Sequence, residues 1–433
     1  MKTLIQILIL TLITIPLSQA QSYDELIKQG EDKFAAGDYK TSKEFFKKAV
    51  DLNPNGVVGI YSLGYLMGAT GEADAGMKYL DKAIAMAPDS TQFILGRSEI
   101  KGYVMGDTEG AIKDMLLYKD HKSTKTPEAA YAHLVQFYVD SGDYTNAEIY
   151  IKKTEQEVKE LPNSFYYNKA RFQSAKKQYA QAIQSATKAI NMYPDWPMPY
   201  FTRAKALYEV GKYDKSISDY NTYIKGVPND DIAYSNRALG KEMSGDLSGA
   251  MSDYSKAIEL YDKDAVTYLN RSTLYKKMNK LDNAISDLNK AEALNPNIST
   301  IFSNRGNYYA EQKNYTKAIA DFTKAIKLAP KNQKNYSSRS LAYLKVEKYN
   351  EAYADALKVL ELSPNDNNGY LNGATALFNM NKFSEAKKLA SKGIEKNPND
   401  GMLYYLRSAI NKELGNTAEA ASDDSKAKSL LSK

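Results

Sequence analysis

The side chains that could do covalent or metal chemistry are few: two histidines, His121 and His133, and no cysteine in 433 residues. Neither histidine has a carboxylate or second imidazole at metal-ligand spacing, and no phosphate loop, nucleophile elbow or zinc-protease helix occurs. The neighbouring acids Asp423 and Asp424 read as one ion pair and one solvated charge. The chain is therefore read as non-enzymatic, with no cofactor implied. What recurs instead is recognition chemistry. Arg203, Arg237, Arg271, Arg305, Arg339 and Arg407 are followed 16 residues later by Asp219, Asp253, Asp287, Asp321, Asp355 and Asp423. A guanidinium presents two parallel donors to a carboxylate, so this ladder predicts ion pairs inside the units of a repeat. At Gly373 and Leu389 both partners vanish together, and Asp114, opposite Ser98, is the one aspartate that does not fit. A second ladder comprises Asn168, Asn236, Asn270, Asn304 and Asn372, with Thr202 and Ser338 at the intervening marks. A primary amide both donates and accepts, so a column of them can hold an extended peptide backbone whatever its sequence.

The elements that position these ladders follow from a period. Pro194, Pro228, Pro296, Pro330, Pro364 and Pro398 lie on a 34-residue ruler, with Asp262 at the skipped mark. Inside one period, Tyr268, Ser272 and Tyr275 recur at helical steps, and Ala284, Leu288 and Ala291 do so after the polar break at Asn279-Lys280. Each unit is two amphipathic helices joined by a tight turn. Proline ends a unit because it cannot continue a helix, and two helices cannot bury both apolar faces, so the units stack. Twelve units start near residues 23, 57, 92, 128, 163, 197, 231, 265, 299, 333, 367 and 401. They make residues 21–433 a single repeat domain.

Two irregularities stand out. The unit over 92–127 is degenerate: it keeps Gly106-Asp107, Ala111 and Met115 but loses its closing proline and ends in the polar run Lys119 to Lys125. That run is predicted to be the weakest joint. The turn markers Gly142-Asp143-Tyr144 and Lys177-Gln178-Tyr179 lie 35 residues apart, so the unit starting near Asn163 carries one inserted residue.

Residues 1–20 read as an export signal: Lys2 is basic, Leu4 to Leu17 is mostly apolar, and Ser18-Gln19-Ala20 precedes a cut after Ala20. The expected product is periplasmic or secreted, with no stable membrane insertion once the signal is removed. Its removal takes the formal charge from +6 to +5. Acids and bases are interspersed, which describes a solvated surface and excludes a nucleic-acid stripe. With 43% hydrophobic and 25% charged residues, the chain is an ordinary folded one.

The set Phe302, Arg305-Gly306, Tyr309, Ala318, Phe322 and Pro330 resembles the tetratricopeptide repeat, apart from arginine where the signature has leucine. The resemblance implies an all-α, right-handed α-solenoid, a superhelix of about twelve stacked helix-turn-helix units. It places the amide ladder on the concave wall, where Asn168, Thr202, Asn236, Asn270, Asn304, Asn307, Ser338 and Asn372 are the expected groove residues for a protein or extended peptide. The series is similar to the asparagine ladder of O-GlcNAc transferase, whose catalytic part has no counterpart here. The lysine and asparagine clamp of chaperone-tail binders is incomplete. Tyr131, Tyr166, Tyr200, Tyr234, Tyr268, Tyr336, Tyr370 and Tyr404 fill the aromatic place of the signature as packing residues. Two other roles compete with peptide capture: an architectural spacer in a cell-envelope assembly, and a glycan-binding surface protein. The single Trp196 and the lack of a lipid-bearing cysteine argue against the latter.

Overall fold

The computed structural model describes residues 21–432, so the export signal expected at 1–20 lies outside the described residues. They form 24 α-helices and no strand. The described residues divide into two compact units, one ending at Gly226 and one beginning at Val227. The first holds α1 (Tyr23–Ala35), α2 (Tyr39–Leu52), α3 (Val57–Ala69), α4 (Ala73–Met86), α5 (Thr91–Glu99), a π turn (Ile100–Val104), α6 (Thr108–Asp120), α7 (Ala129–Ser141), α8 (Tyr144–Glu157), α9 (Asn163–Ala175), α10 (Tyr179–Met192), α11 (Met198–Glu209) and α12 (Tyr213–Gly226). The second holds α13 (Asp231–Ser244), α14 (Leu247–Leu260), α15 (Ala265–Lys277), α16 (Leu281–Leu294), α17 (Ser299–Glu311), α18 (Tyr315–Leu328), α19 (Gln333–Lys345), α20 (Tyr349–Leu362), α21 (Asn367–Asn379), α22 (Phe383–Lys396), α23 (Gly401–Glu413) and α24 (Thr417–Leu431).

Each odd-numbered helix pairs with the next even one, and the turn between them has a fixed chemistry. One left-handed residue closes every first helix: Gly37, Gly71, Gly106, Gly142, Gly211, Gly245 and Gly415, or Lys177, Asn279, Lys313, Glu347 and Asn381. Glycine adopts that conformation without a steric penalty, and it is the commoner choice here. An acid or amide often follows and caps the second helix, as Asp38, Asp107, Asp143, Asp246 and Asn314 do by accepting a backbone N–H three residues on.

Small residues set the helix spacing inside a hairpin. A Cβ on Gly306 would stand 2.8 Å from the Phe322 ring, so the absent side chain makes room for the aromatic one. The tightest approach is between α3 and α4, where a Cβ on Gly76 would lie 2.5 Å from both the Gly64 carbonyl oxygen and the Gly68 nitrogen. Backbone cannot yield as a side chain does. Gly76→Ala is therefore expected to cost about 2 kcal/mol by forcing the two helices apart. A lower melting temperature, with amide protection lost in α3 and α4 first, checks this.

The irregularities resolve as local insertions. The inserted residue expected in the unit starting near Asn163 lies before it, in the loop 158–162, because α9 and its turn keep the standard length. The joint expected to be weak is well packed. Ile94, Ala111, Met115, Leu134, Phe137 and Phe165 belong to one buried cluster that runs across it, while the polar run Lys119 to Lys125 starts at the end of α6, continues into the following loop and contributes nothing to that core.

Candidate functional site

The arginine ladder is where sequence and geometry agree most closely. In all six predicted pairs, Nε and Nη2 of the arginine donate to the two carboxylate oxygens of the aspartate at 2.7 to 2.8 Å. Each bridge ties the first helix of a hairpin to its second. The same guanidinium also reaches backward. Nη1 of Arg203, Arg271, Arg305, Arg339 and Arg407 donates to Thr187, Ser255, Asn289, Thr323 and Ser391, each 16 residues earlier on the preceding hairpin's second helix. Below it lies the signature aromatic: Arg203, Arg237, Arg271, Arg305, Arg339 and Arg407 sit 5.2 to 5.9 Å over Tyr200, Tyr234, Tyr268, Phe302, Tyr336 and Tyr404. These six aromatics pack under the clamp, whereas Tyr131, Tyr166 and Tyr370 of the same series lie in units without it.

Asp114 is a correction to the expected ladder. It is bound by Arg97 at 2.7 and 2.8 Å and by Lys101 at 2.8 Å, not left opposite Ser98. Counted from the start of α5, Arg97 holds the same place as Arg271 in α15. The π turn at Ile100–Val104 takes up one additional residue, so the pair is separated by 17 residues and the 16-residue rule pointed to Ser98 instead. Where the ladder lapses, packing replaces charge: a Cβ on Gly373 would meet Leu389 at 2.9 Å.

The amide ladder divides by burial. Asn168 is 1% exposed, its amide nitrogen donating to Gln136 at 3.3 Å and its oxygen accepting from Arg171. Thr202 is buried and hydrogen-bonded to Tyr167. Asn372 is buried and donates to the Ser337 carbonyl at 3.2 Å. These three expected groove residues are turned into the fold, because their polar atoms already have protein partners. Asn236, Asn270, Asn304 and Ser338 are half-buried and Asn307 is exposed. None of these five side chains makes a hydrogen bond to another described residue.

Those that remain open share a face. On α13, Ile232, Asn236, Leu239 and Met243 follow the i, i+4, i+7, i+11 pattern of a single helical stripe, and Ile232 is 58% and Met243 48% exposed. On α15 the same stripe is Val266, Asn270, Thr273 and Lys277; on α17 it is Thr300, Asn304, Asn307 and Glu311; on α19 it is Lys334, Ser338, Leu341 and Lys345. The exposed Ile232 and Val266 were missed from sequence, although their spacing from the asparagines could have shown them. Within this unit, α17 packs on α19, α19 on α21 and α21 on α23, and no two successive second helices pack to a comparable extent. The stripe therefore lies on the more closely stacked side.

In the unit ending at Gly226 the corresponding side carries a polar network that the sequence did not reveal. The Tyr103 hydroxyl is 2.8 Å from His133 Nδ1 and donates to Gln136 at 3.3 Å. From there the chain runs through Asn168 and Arg171 to Asp140, which takes the Arg171 guanidinium at 2.7 Å. Nearby, Tyr65 donates to Glu99 at 3.0 Å. Burial pushes the Glu99 carboxyl up to about 7 despite that hydrogen bond, and burial pushes His133 down to about 4. His121 instead accepts from the Ser123 N–H at 3.1 Å. Among the described residues no cluster of His, Asp or Glu could hold a metal ion, and no helix is long and apolar enough to cross a membrane.

Comparison with known proteins places these hairpins. Residues 299–332 match one form of the tetratricopeptide repeat, and residues 34–55, 164–195, 265–298 and 334–366 match another. No curated protein matches the sequence. Among similar solved structures, the C-terminal part of a TPR repeat-containing protein from Cytophaga hutchinsonii is 20% identical, with 54% of this chain and 95% of that chain covered and a TM-score of 0.47. YrrB, described as a TPR protein with an unusual peptide-binding site, is 24% identical over 41% of this chain and 91% of its own, with a TM-score of 0.37. Yeast Tom70 is 14% identical over 94% of this chain and 92% of its own, at 0.39. The sequence therefore carries tetratricopeptide repeats at five places, on helical hairpins of a kind that recurs from Tyr23 to Leu431.

Proposed function

We propose that this protein is an exported scaffold that holds a protein segment in extended form along its first helices, without catalysis. The observation that supports it is the open stripe of the second unit: Asn236, Asn270 and Asn304 recur at 34-residue intervals with unused amides, beside exposed Ile232, Met243, Val266 and Leu341. Amides without protein partners can bond a peptide's backbone, and the neighbouring apolar side chains gain when its side chains cover them. The export part of the reading rests on residues 1–20 and is tested by the N-terminal sequence of the protein from its native host, expected to begin at Gln21.

The binding part is tested with Asn270→Ala and Asn304→Ala combined. A partner captured by the intact protein from the native envelope, identified by mass spectrometry and purified, is then titrated against both forms. Two hydrogen bonds at about 1 kcal/mol each predict a loss of affinity of roughly thirtyfold. Unchanged affinity would sink the groove reading and favour an architectural spacer that assembles through other surfaces.

A further inference from the structure

We infer that Glu99, walled by Tyr61, Tyr65 and Tyr103, is a receptor for an alkylammonium or guanidinium group, supplied by a lysine or arginine of a segment lying on the first helices of the unit that ends at Gly226. The inference rests on the reading above for where the segment lies, and on separate residues for what it recognises.

Glu99 is 9% exposed, and its one hydrogen-bond partner among the described residues is the Tyr65 hydroxyl at 3.0 Å. A carboxylate can accept about four hydrogen bonds, and an ionised one in a buried site is held at a stability penalty unless a cation meets it. Among the described residues no lysine or arginine does so. Burial raises the range in which it titrates and the Tyr65 hydrogen bond opposes that; Tyr61 and Tyr65 of α3 and Tyr103 of the π turn lie within electrostatic range of it. The nearby cations are already committed, Lys101 to Asp114 and Arg171 to Asp140.

The walls suit a cation and are fixed in advance. Tyr61 is stacked on Phe93 at 4.5 Å and lies 6.0 Å from Tyr65, while Tyr103 is held by Phe137 at 5.2 Å and by His133. Tyr65 and Tyr103 act on each other electrostatically, and their rings are not stacked on one another. Ring faces attract ammonium and guanidinium groups, and walls ordered before binding reduce its entropic penalty. His133 is neutral at physiological pH and so does not repel a cation. Tyr103 also keeps 43% of its surface open to solvent, so a ligand can approach its ring. It belongs to the π turn, where α5 departs from α geometry, a distortion that often accompanies function.

The test uses the full-length protein and three probes: a capped seven-residue peptide of glycine and alanine with one central lysine, the same peptide with norleucine, and n-butylammonium. The carbon-13 shift of the Glu99 carboxyl reports binding. The lysine peptide is expected to move that signal saturably and the norleucine peptide to leave it in place. Since binding needs the ionised carboxylate, whose acidity sits at about 7, affinity should be roughly tenfold weaker at pH 6 than at pH 8. Calorimetry with Glu99→Gln should show at least a tenfold loss for the lysine peptide, while Tyr65→Phe, which keeps the ring, should still bind and lose affinity at a higher pH. Binding of n-butylammonium as well supports the receptor with a free amine as sufficient ligand, and binding of the peptide alone supports a segment-borne one. Equal affinity for lysine and norleucine, or an undiminished affinity in Glu99→Gln, would overturn the proposal. The Asn270 and Asn304 variants lie in the other unit, so either result can fail without the other.

Discussion

Arg305→Met is expected to destabilise the second unit by about 3 to 5 kcal/mol, the range for removing one member of a buried ion pair. Arg305 is 6% and Asp321 4% exposed, so the variant leaves a carboxylate in the interior without its two donors. It also frees Glu292 and Asn289 on the preceding hairpin, which the same guanidinium holds, so α16 should loosen together with α17 and α18. The chain contains its own control. At the equivalent places of a later unit, Gly373 and Leu389 replace the pair with a glycine and a leucine that packs against it. The double variant Arg305→Gly with Asp321→Leu should therefore recover most of the loss, short of about 1 kcal/mol for glycine within a helix. Urea melts read with amide exchange in α16, α17 and α18 decide this. A double variant as unstable as Arg305→Met would show that the clamp orients the hairpins in a way apolar packing cannot.

The clamp also shows what a sequence does and does not display. The 34-residue period, the hairpin and the pairing of Arg203 with Asp219 were legible because each depends on residues at fixed separations along the chain. The backward reach to Thr187 or Asn289 was not, because one guanidinium serves three helices and its third donor accepts several partner types. Asp114 was misread because the π turn changes the count between Arg97 and the following turn. Burial was the least legible property. Asn168, Asn270 and Asn372 occupy the same place in three hairpins, yet only Asn270 remains open, and the difference lies in neighbours such as Gln136, Arg171 and Ser337 contributed by helices on either side. The Glu99 cluster gave no signal at all, since it joins residues of α3, α5 and the π turn that share no motif.

Glu99→Gln is expected to make the protein more stable at pH 8 and to leave it unchanged near pH 4. The folded protein holds the Glu99 proton up to about 7, against 4.5 for the unfolded chain, because burial disfavours the charge. Between those values the unfolded state binds fewer protons than the folded one, so stability falls as the pH rises, and the loss is complete above about 7. Moving that proton from 4.5 to about 7 corresponds to about 3 kcal/mol at pH 8. Glutamine keeps an acceptor for the Tyr65 hydroxyl but never ionises, so the variant escapes this loss. His133 works in the opposite sense: lowered to about 4 from 6.5, it removes stability as the pH falls through that window. It is present in both proteins and cancels in their difference, which isolates Glu99. Denaturant melts of parent and variant at pH 4, 6 and 8, followed by exchange in α3 and α5, give the comparison, and a pH-independent difference would mean that Glu99 titrates as an ordinary surface acid. A carboxylate that weakens its own fold when ionised is a burden a pure spacer has no use for, and a bound cation would relieve it by pairing with the buried charge.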